Sequence, residues 1–150
     1  QVAPAEIVMD LACGNGVLGL VAVKKGLARK LVFCDESAMA IASAQLNANR
    51  VFGQAMHNFY FHHGDGLEGY CGDEAQLILC NPPFHQEHTV NEFAGRRLLD
   101  QCSRHLRPGG RLLLVANRHL DYLSLLRKSF STVEKYAGNS KFNILLACKN

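Results

Sequence analysis

No apolar run in this sequence approaches the length of a membrane span, so nothing in it reads as a transmembrane segment. No signal-peptide pattern opens it either, although Gln1 in place of Met suggests a trimmed or excised domain. The six cysteines (Cys13, Cys34, Cys71, Cys80, Cys102 and Cys148) form no C-x-x-C pair. Three of them, Cys34, Cys80 and Cys148, fall in strand-like runs, where a reduced cysteine behaves as a small hydrophobe. That usage excludes a disulfide framework and points to a reducing, cytoplasmic setting. Repeats, low-complexity tracts and linkers are also missing, so one domain is expected to fill the 150 residues. Strong charge of either sign is lacking as well. A formal +3 and a pI near 8.6 are compatible with a nucleic-acid partner without demonstrating one.

What is present is apolar sequence, 48% of the chain, cut into short β-rich runs that alternate with helical stretches. "EIVMDLAC" (6–13) reads as a strand ended by glycines, and "VLGLVAVKKG" (17–26) as a helix stopped by Gly26. "KLVFCDE" (30–36) is the next strand, and Ser37 can cap the helix "AMAIASAQLNANR". Strands "NFYFHH" (58–63) and "AQLILCN" (75–81) precede a helix from Glu92 to Leu106, on which Leu98, Leu99, Cys102 and Leu106 share a face. "RPGG" (107–110) reads as a turn before strand "RLLLVAN" (111–117). A last helix, "DYLSLLRKSF", leads to "STVEKY" and "KFNILLACK", which the Gly138-Asn139 pair joins as a hairpin. This alternation predicts an α/β fold: a mostly parallel, Rossmann-like sheet of seven strands, with helices on both faces and an antiparallel C-terminal hairpin.

"GNGVLG" sets glycines at 14, 16 and 19 between a strand and a helix, permitting a tight turn and close backbone approach to a ligand. Asp35 ends the second strand, where a carboxylate can accept from ribose hydroxyls. So far a nicotinamide cofactor fits as well as S-adenosyl-L-methionine, and a turn that binds nothing has the same look. Three features favour S-adenosylmethionine. Asp10, inside the first strand, sets a negative group just below the loop, which suits an ammonium and a sulfonium better than a pyrophosphate. Asp65 in "GDGL" follows the third strand and can accept from an adenine amino group, although alone it reads as a turn aspartate. The terminal hairpin is the third.

"CNPPF" (80–84) stops the fourth strand abruptly, because proline donates nothing to a sheet ladder and extends the residue before it. In an open α/β sheet the end of that strand lies beside the glycine loop, at the ligand-binding edge. An exocyclic amine of a base or an amide is a poor nucleophile, since its lone pair is delocalised. Two acceptors aimed at its N–H bonds draw the nitrogen towards tetrahedral geometry: the Asn81 side-chain oxygen and the Pro82 backbone carbonyl. Pro82 and Pro83 hold both rigidly, and Phe84 offers a face for a base to stack on, worth roughly 1–3 kcal/mol. No strong general base is needed, because the nitrogen becomes acidic as it takes the methyl. Catalysis is then positioning and electrostatic stabilisation.

With these residues the sequence resembles the class I S-adenosylmethionine-dependent methyltransferases of the amino-methylating kind. "NPPFHQEH", "RPGGRLLLVANRHLDY" and "KFNILLACK" look like the ribosomal RNA guanine-N2 methyltransferases, closer to the large-subunit (23S) type than to the small-subunit type. The resemblance covers essentially the whole chain. It implies cofactor contacts at Asp10, Ala12, Gly14, Gly16, Asp35, Asp65 and Asn81, and amine positioning by Asn81, Pro82, Pro83 and Phe84. It implies ribosomal RNA as partner, with a flipped or unpaired guanine as acceptor. Proteins of this type usually carry an N-terminal domain like a degenerate copy of the catalytic one, expected to aid RNA recognition. Only six residues precede "IVMD" here, so the chain is expected to be the catalytic domain of a longer two-domain protein.

Rival readings use the same four residues on a protein glutamine amide or on a DNA adenine, or make the chain a non-catalytic nucleotide- or RNA-binding module. His85 and His88 read as lining the substrate entrance, with no metal site expected. His62 and His63 carry no assigned role. Arg96, Arg97, Arg104, Arg107 and Arg111 cluster around one helix and the turn after it, either as a solvated face or as phosphate contacts. Asn117 and Arg118 end the fifth strand on the ligand side, as substrate contacts or as the start of a helix.

Overall fold

The computed structural model describes residues 4–53, 58–82, 92–118 and 121–150. Along the chain run β1 (Ala5–Leu11), α1 (Val17–Lys24), β2 (Ala28–Asp35), α2 (Ala38–Phe52), β3 (Phe59–His63) and β4 (Ala75–Cys80). They are followed by α3 (Glu92–His105), β5 (Leu106–Asn117), α4 (Tyr122–Ser129), β6 (Thr132–Gly138) and β7 (Phe142–Cys148). The strands form one sheet in the order β3-β2-β1-β4-β5-β7-β6. β7 is antiparallel to both neighbours; the other pairings are parallel. This is the mostly parallel, Rossmann-like seven-stranded sheet with an antiparallel C-terminal hairpin expected from the alternation.

The near-continuous apolar strands follow from burial on both faces. On one face Leu20, Ala22, Ile41, Ala44 and Ala48 of α1 and α2 pack on Val8, Leu31, Phe33 and Leu77. On the other, Leu99, Cys102, Leu125 and Leu126 of α3 and α4 pack on Met9, Ile78, Leu112 and Leu114. Leu98 is only partly buried at the margin of that stripe. α2 starts at Ser37, whose hydroxyl accepts from Ala40 N at 3.2 Å, and α4 starts at Asp121, whose carboxylate accepts from Ser124 N at 3.2 Å. Among the described residues, no helix is long and apolar enough to cross a membrane. All six cysteines are unbridged.

One expected element differs. "RPGG" is not a free turn before β5 but an irregular stretch within it, Leu106 pairing with Ala75 and Arg111 with Leu77. The reason is a ladder partner from beyond β7: Gly109 N donates to Lys149 O at 2.9 Å and Lys149 N to Gly110 O at 2.8 Å. Proline's missing donor is tolerated at such a bulge.

Chain order reverses between β1 and β4, which pair from Val8–Leu77 to Leu11–Cys80. Their carboxyl ends therefore stop side by side. The loop after β1 and the segment opening with Asn81 both leave the sheet there, at the edge where open α/β sheets bind ligands.

Candidate active site

A cavity of about 770 Å³ opens above this edge, within the range of small-molecule sites. It is lined by Leu11 at the end of β1 with Ala12, Cys13, Gly14 and Asn15 after it, and by Asp35 at the end of β2 with Glu36 after it. Asp65 and Gly66 contribute from beyond β3 and Asn81 from the end of β4, while Arg97, Leu98 and Gln101 of α3 form a further wall.

The glycine loop is held from below. Ala12 and Gly14 take left-handed backbone angles, φ +56° and +54°, and an added Cβ at Gly14 would meet nothing within 4 Å. Gly14 thus leaves open space above the loop. Its N–H donates to Asp35 Oδ2 at 2.9 Å, and Asp35 Oδ1 accepts from Ser37 N at 2.9 Å. A carboxylate has lone pairs for further donors, so Asp35 can brace the loop and still meet hydroxyls. Gly16 and Gly19 do other work: a Cβ there would come within 3.0 and 2.9 Å of the Phe33 ring. They let α1 settle onto β2.

Asp10 lies beneath the loop, 1% exposed, with Oδ2 accepting from Gly19 N at 2.8 Å. It is not among the cavity-lining residues. Burial pushes its carboxyl up to about 7, against the pull of the Gly19 hydrogen bond, with Asp35 adding repulsion. Cys13 lines the cavity, but burial holds its thiol up at about 12, so it is no nucleophile at neutral pH.

Of the sequence-assigned residues, Ala12, Gly14, Asp35, Asp65 and Asn81 meet at the cavity, while Asp10 and Gly16 stand behind it. Asn81 is exposed to the opening and Pro82 is buried behind it. Pro83, Phe84, His85 and His88 lie outside the described residues.

Two wall residues were not singled out as site residues by the sequence. Arg97 donates through Nη1 to Asp65 Oδ2 and through Nη2 to Glu68 Oε2, each at 2.6 Å. One turn later, Gln101 Oε1 accepts from Leu67 N at 3.1 Å. The i, i+4 spacing on an amphipathic helix was the available signal, yet it could not name partners about thirty residues upstream.

The family model for the methyltransferase small domain matches residues 1–146. Ribosomal RNA large subunit methyltransferase G of Yersinia enterocolitica is 41% identical over 142 residues, 95% of this chain and 36% of the relative's own length. Its Yersinia pestis counterpart is 40% identical over the same share. The chain thus spans about a third of the curated relatives it matches. Among solved structures, the Thermus thermophilus 16S rRNA N2 G1207 methyltransferase (RsmC), determined with AdoMet and guanosine, superposes with a TM-score of 0.82. It is 26% identical, covering 99% of this chain and 38% of that one. The ribosomal protein L11 methylase from Lactobacillus delbrueckii, at 20% identity and a TM-score of 0.74 over all of this chain and 73% of its own, shares the fold. The chain belongs to the methyltransferase small domain family.

Proposed function

We propose that this chain is the catalytic domain of an S-adenosylmethionine-dependent methyltransferase that acts on the exocyclic N2 amine of a guanine in large-subunit ribosomal RNA. One observation carries the reading. Asn81, a side chain suited to gripping an N–H, opens into the same cavity as the Gly14 turn and the carboxylates Asp35 and Asp65. The names and contents of the relatives support it: large-subunit rRNA methylation for the Yersinia proteins, AdoMet with guanosine for RsmC.

The residues present fit the cofactor. There is open space above Gly14, a carboxylate at the end of β2 and another beyond β3, and apolar wall from Leu11 and Leu98. Asp35 would hold the ribose hydroxyls and Asp65 the adenine amine, with the backbone from Ala12 to Gly14 under the rest. When bound, the cofactor supplies an electrophilic methyl on a sulfonium.

What the chain does is position the acceptor. Asn81 Oδ1 and the Pro82 carbonyl take the two N–H bonds of the amine and turn its lone pair towards the cavity. Pro82 and Pro83 fix those acceptors, and Phe84 carries the face of the base. As positive charge grows on nitrogen, the same two oxygens stabilise it by accepting its N–H bonds, and the methylated nitrogen, now acidic, loses its extra proton to water. The base must be unpaired or flipped to present its amine, at a cost of a few kcal/mol. Asp10 acts at one remove, setting α1 through Gly19 N. An rRNA substrate and six unbridged cysteines agree with a reducing cytoplasm.

The test is methyl transfer from isotopically labelled cofactor to 23S rRNA, assembled subunits, DNA and a release factor, followed by mass-spectrometric mapping. A label on guanine N2 of large-subunit RNA is expected. A label on glutamine or adenine, with none on rRNA, would move the reading to those acceptors.

A further inference from the structure

The loop after β3 is fastened to α3 at three points on one helix face. Arg97 spans two carboxylates, Asp65 and Glu68, with one guanidinium nitrogen on each. Gln101, 7% exposed, takes the Leu67 N–H between them. Its Oε1 sits so close to Gly66 that an added Cβ there would be 2.1 Å away. The loop therefore rests directly on the helix, with no room for a side chain between.

This fastening is poorly placed to stabilise the fold. The Arg97, Asp65 and Glu68 side chains are 40%, 61% and 66% exposed, and ion pairs in such surroundings contribute little. Its consequence is local. Arg97 and Asp65 both line the cavity, so fixing Asp65 Oδ2 fixes the orientation of the carboxylate there. Arg97 also offsets negative charge where two acidic groups converge. A neutral purine edge is then met by a carboxylate already aimed, instead of by a mobile anion. The geometry of a fork with one tine on each acid is one that arginine makes and lysine does not.

We propose that Arg97, seconded by Gln101, is the positioning residue that aims Asp65 at the 6-amino group of the adenine, and so sets selectivity for adenine over a 6-oxo purine. The proposal rests on the S-adenosylmethionine reading above and adds to it the residue that makes the base subsite selective. Asp65 touches the base, and Arg97 acts through it.

The experiment is titration calorimetry of the chain with S-adenosylhomocysteine and with its inosine counterpart, which has a 6-oxo group in place of the amine. Parent, Arg97→Ala, Arg97→Lys, Asp65→Asn and the Arg97→Ala/Asp65→Asn double variant are compared. The parent is expected to prefer the adenine compound. Arg97→Ala should bind it roughly tenfold more weakly, the scale of one charge-assisted hydrogen bond, with the preference over the inosine compound collapsing towards one. Arg97→Lys should recover part of the affinity and little of the preference. In the Asp65→Asn background, Arg97→Ala should cost no more. A purely structural role would weaken both compounds equally and leave the preference intact, which overturns the proposal. So would additive losses in the double variant. A parent that binds neither compound would remove the cofactor reading itself, and Arg97's role with it. A parent that binds and discriminates while Arg97→Ala matches it would remove only the role of Arg97.

Discussion

Gly14 and Asp35, 21 residues apart, are joined by a hydrogen bond of 2.9 Å from the Gly14 N–H to Oδ2. The turn after β1 is thus pinned to the end of β2 before any ligand arrives. With Ser37 N on its other oxygen, Asp35 organises two loops at once. Ligand binding then proceeds onto a preformed surface, which lowers its ordering cost.

Asp35→Ala removes the acceptor for both N–H groups as well as the proposed ribose contact. A loss of about 1 kcal/mol in folding stability is expected, chiefly from the part-buried Gly14 N–H, since the exposed Ser37 N–H can turn to water. The urea midpoint reads that loss. Calorimetry with S-adenosylhomocysteine should show affinity falling roughly tenfold or more, because a charge-assisted contact goes too. An unchanged affinity would remove Asp35 from the cofactor site.

Asn81→Ala separates chemistry from cofactor binding. Asn81 is exposed at the cavity rim, so its removal leaves no buried hole. The methyl-transfer rate should fall on the order of a hundredfold or more, as with removing one positioned polar group from a transition state. S-adenosylhomocysteine should still bind. Transfer at the parent rate would refute the amine-gripping role.

Gly19→Ala sets two effects against each other. Alanine favours a helix interior by about 1 kcal/mol over glycine. Here its Cβ would come to 2.9 Å from the Phe33 ring and to 3.0 Å from both Asp10 Oδ2 and Leu31 Cδ2. Overpacking of that kind costs typically 1–3 kcal/mol, and three neighbours on two elements must give way. Packing should win. The variant is expected to unfold at lower urea than the parent, and a variant equal or higher in midpoint would show that α1 can lift off β2 cheaply.

The fold was legible because β1, β2 and β4 carry short apolar runs and helical stretches alternate with them, as in α3, whose Leu99 and Cys102 are buried on one face; both signals are local. The antiparallel hairpin was legible from Gly138-Asn139, where Asn139 Oδ1 accepts from Lys141 N and Phe142 N at 2.8 Å each. "RPGG" was misread because the partner that draws it into the sheet, Lys149, comes from the far end of the chain. The glycine loop, Asp35, Asp65 and Asn81 were legible as residues of the cavity edge because each ends a strand or lies within a few residues of its end, and strand ends are where such sheets bind ligands. Arg97 looked like one of several helix arginines. Only the placement of α3 across the loop after β3 distinguishes it from Arg96 and Arg104.

Asp10 yields a prediction with a definite sign. Burial raises its carboxyl from 3.8 to about 7, so in the folded chain it keeps its proton well above the pH at which an unfolded chain releases it. Between about pH 4 and 7 the folded state therefore binds more protons than the unfolded one, and stability must fall as pH rises through that window. The slope from this one group approaches about 1.4 kcal/mol per pH unit and flattens above pH 7, once both states have lost the proton. Asp10→Asn keeps an acceptor for Gly19 N and has nothing to ionise. Urea unfolding of both proteins at pH 4.5, 5.5, 6.5 and 7.5 should show the variant gaining on the parent with each step up to pH 7 and the difference levelling beyond. If the two curves ran parallel, Asp10 would be ionised throughout that range in the fold, and its place beneath the glycine loop would be that of a standing negative charge rather than of a proton-bearing strut.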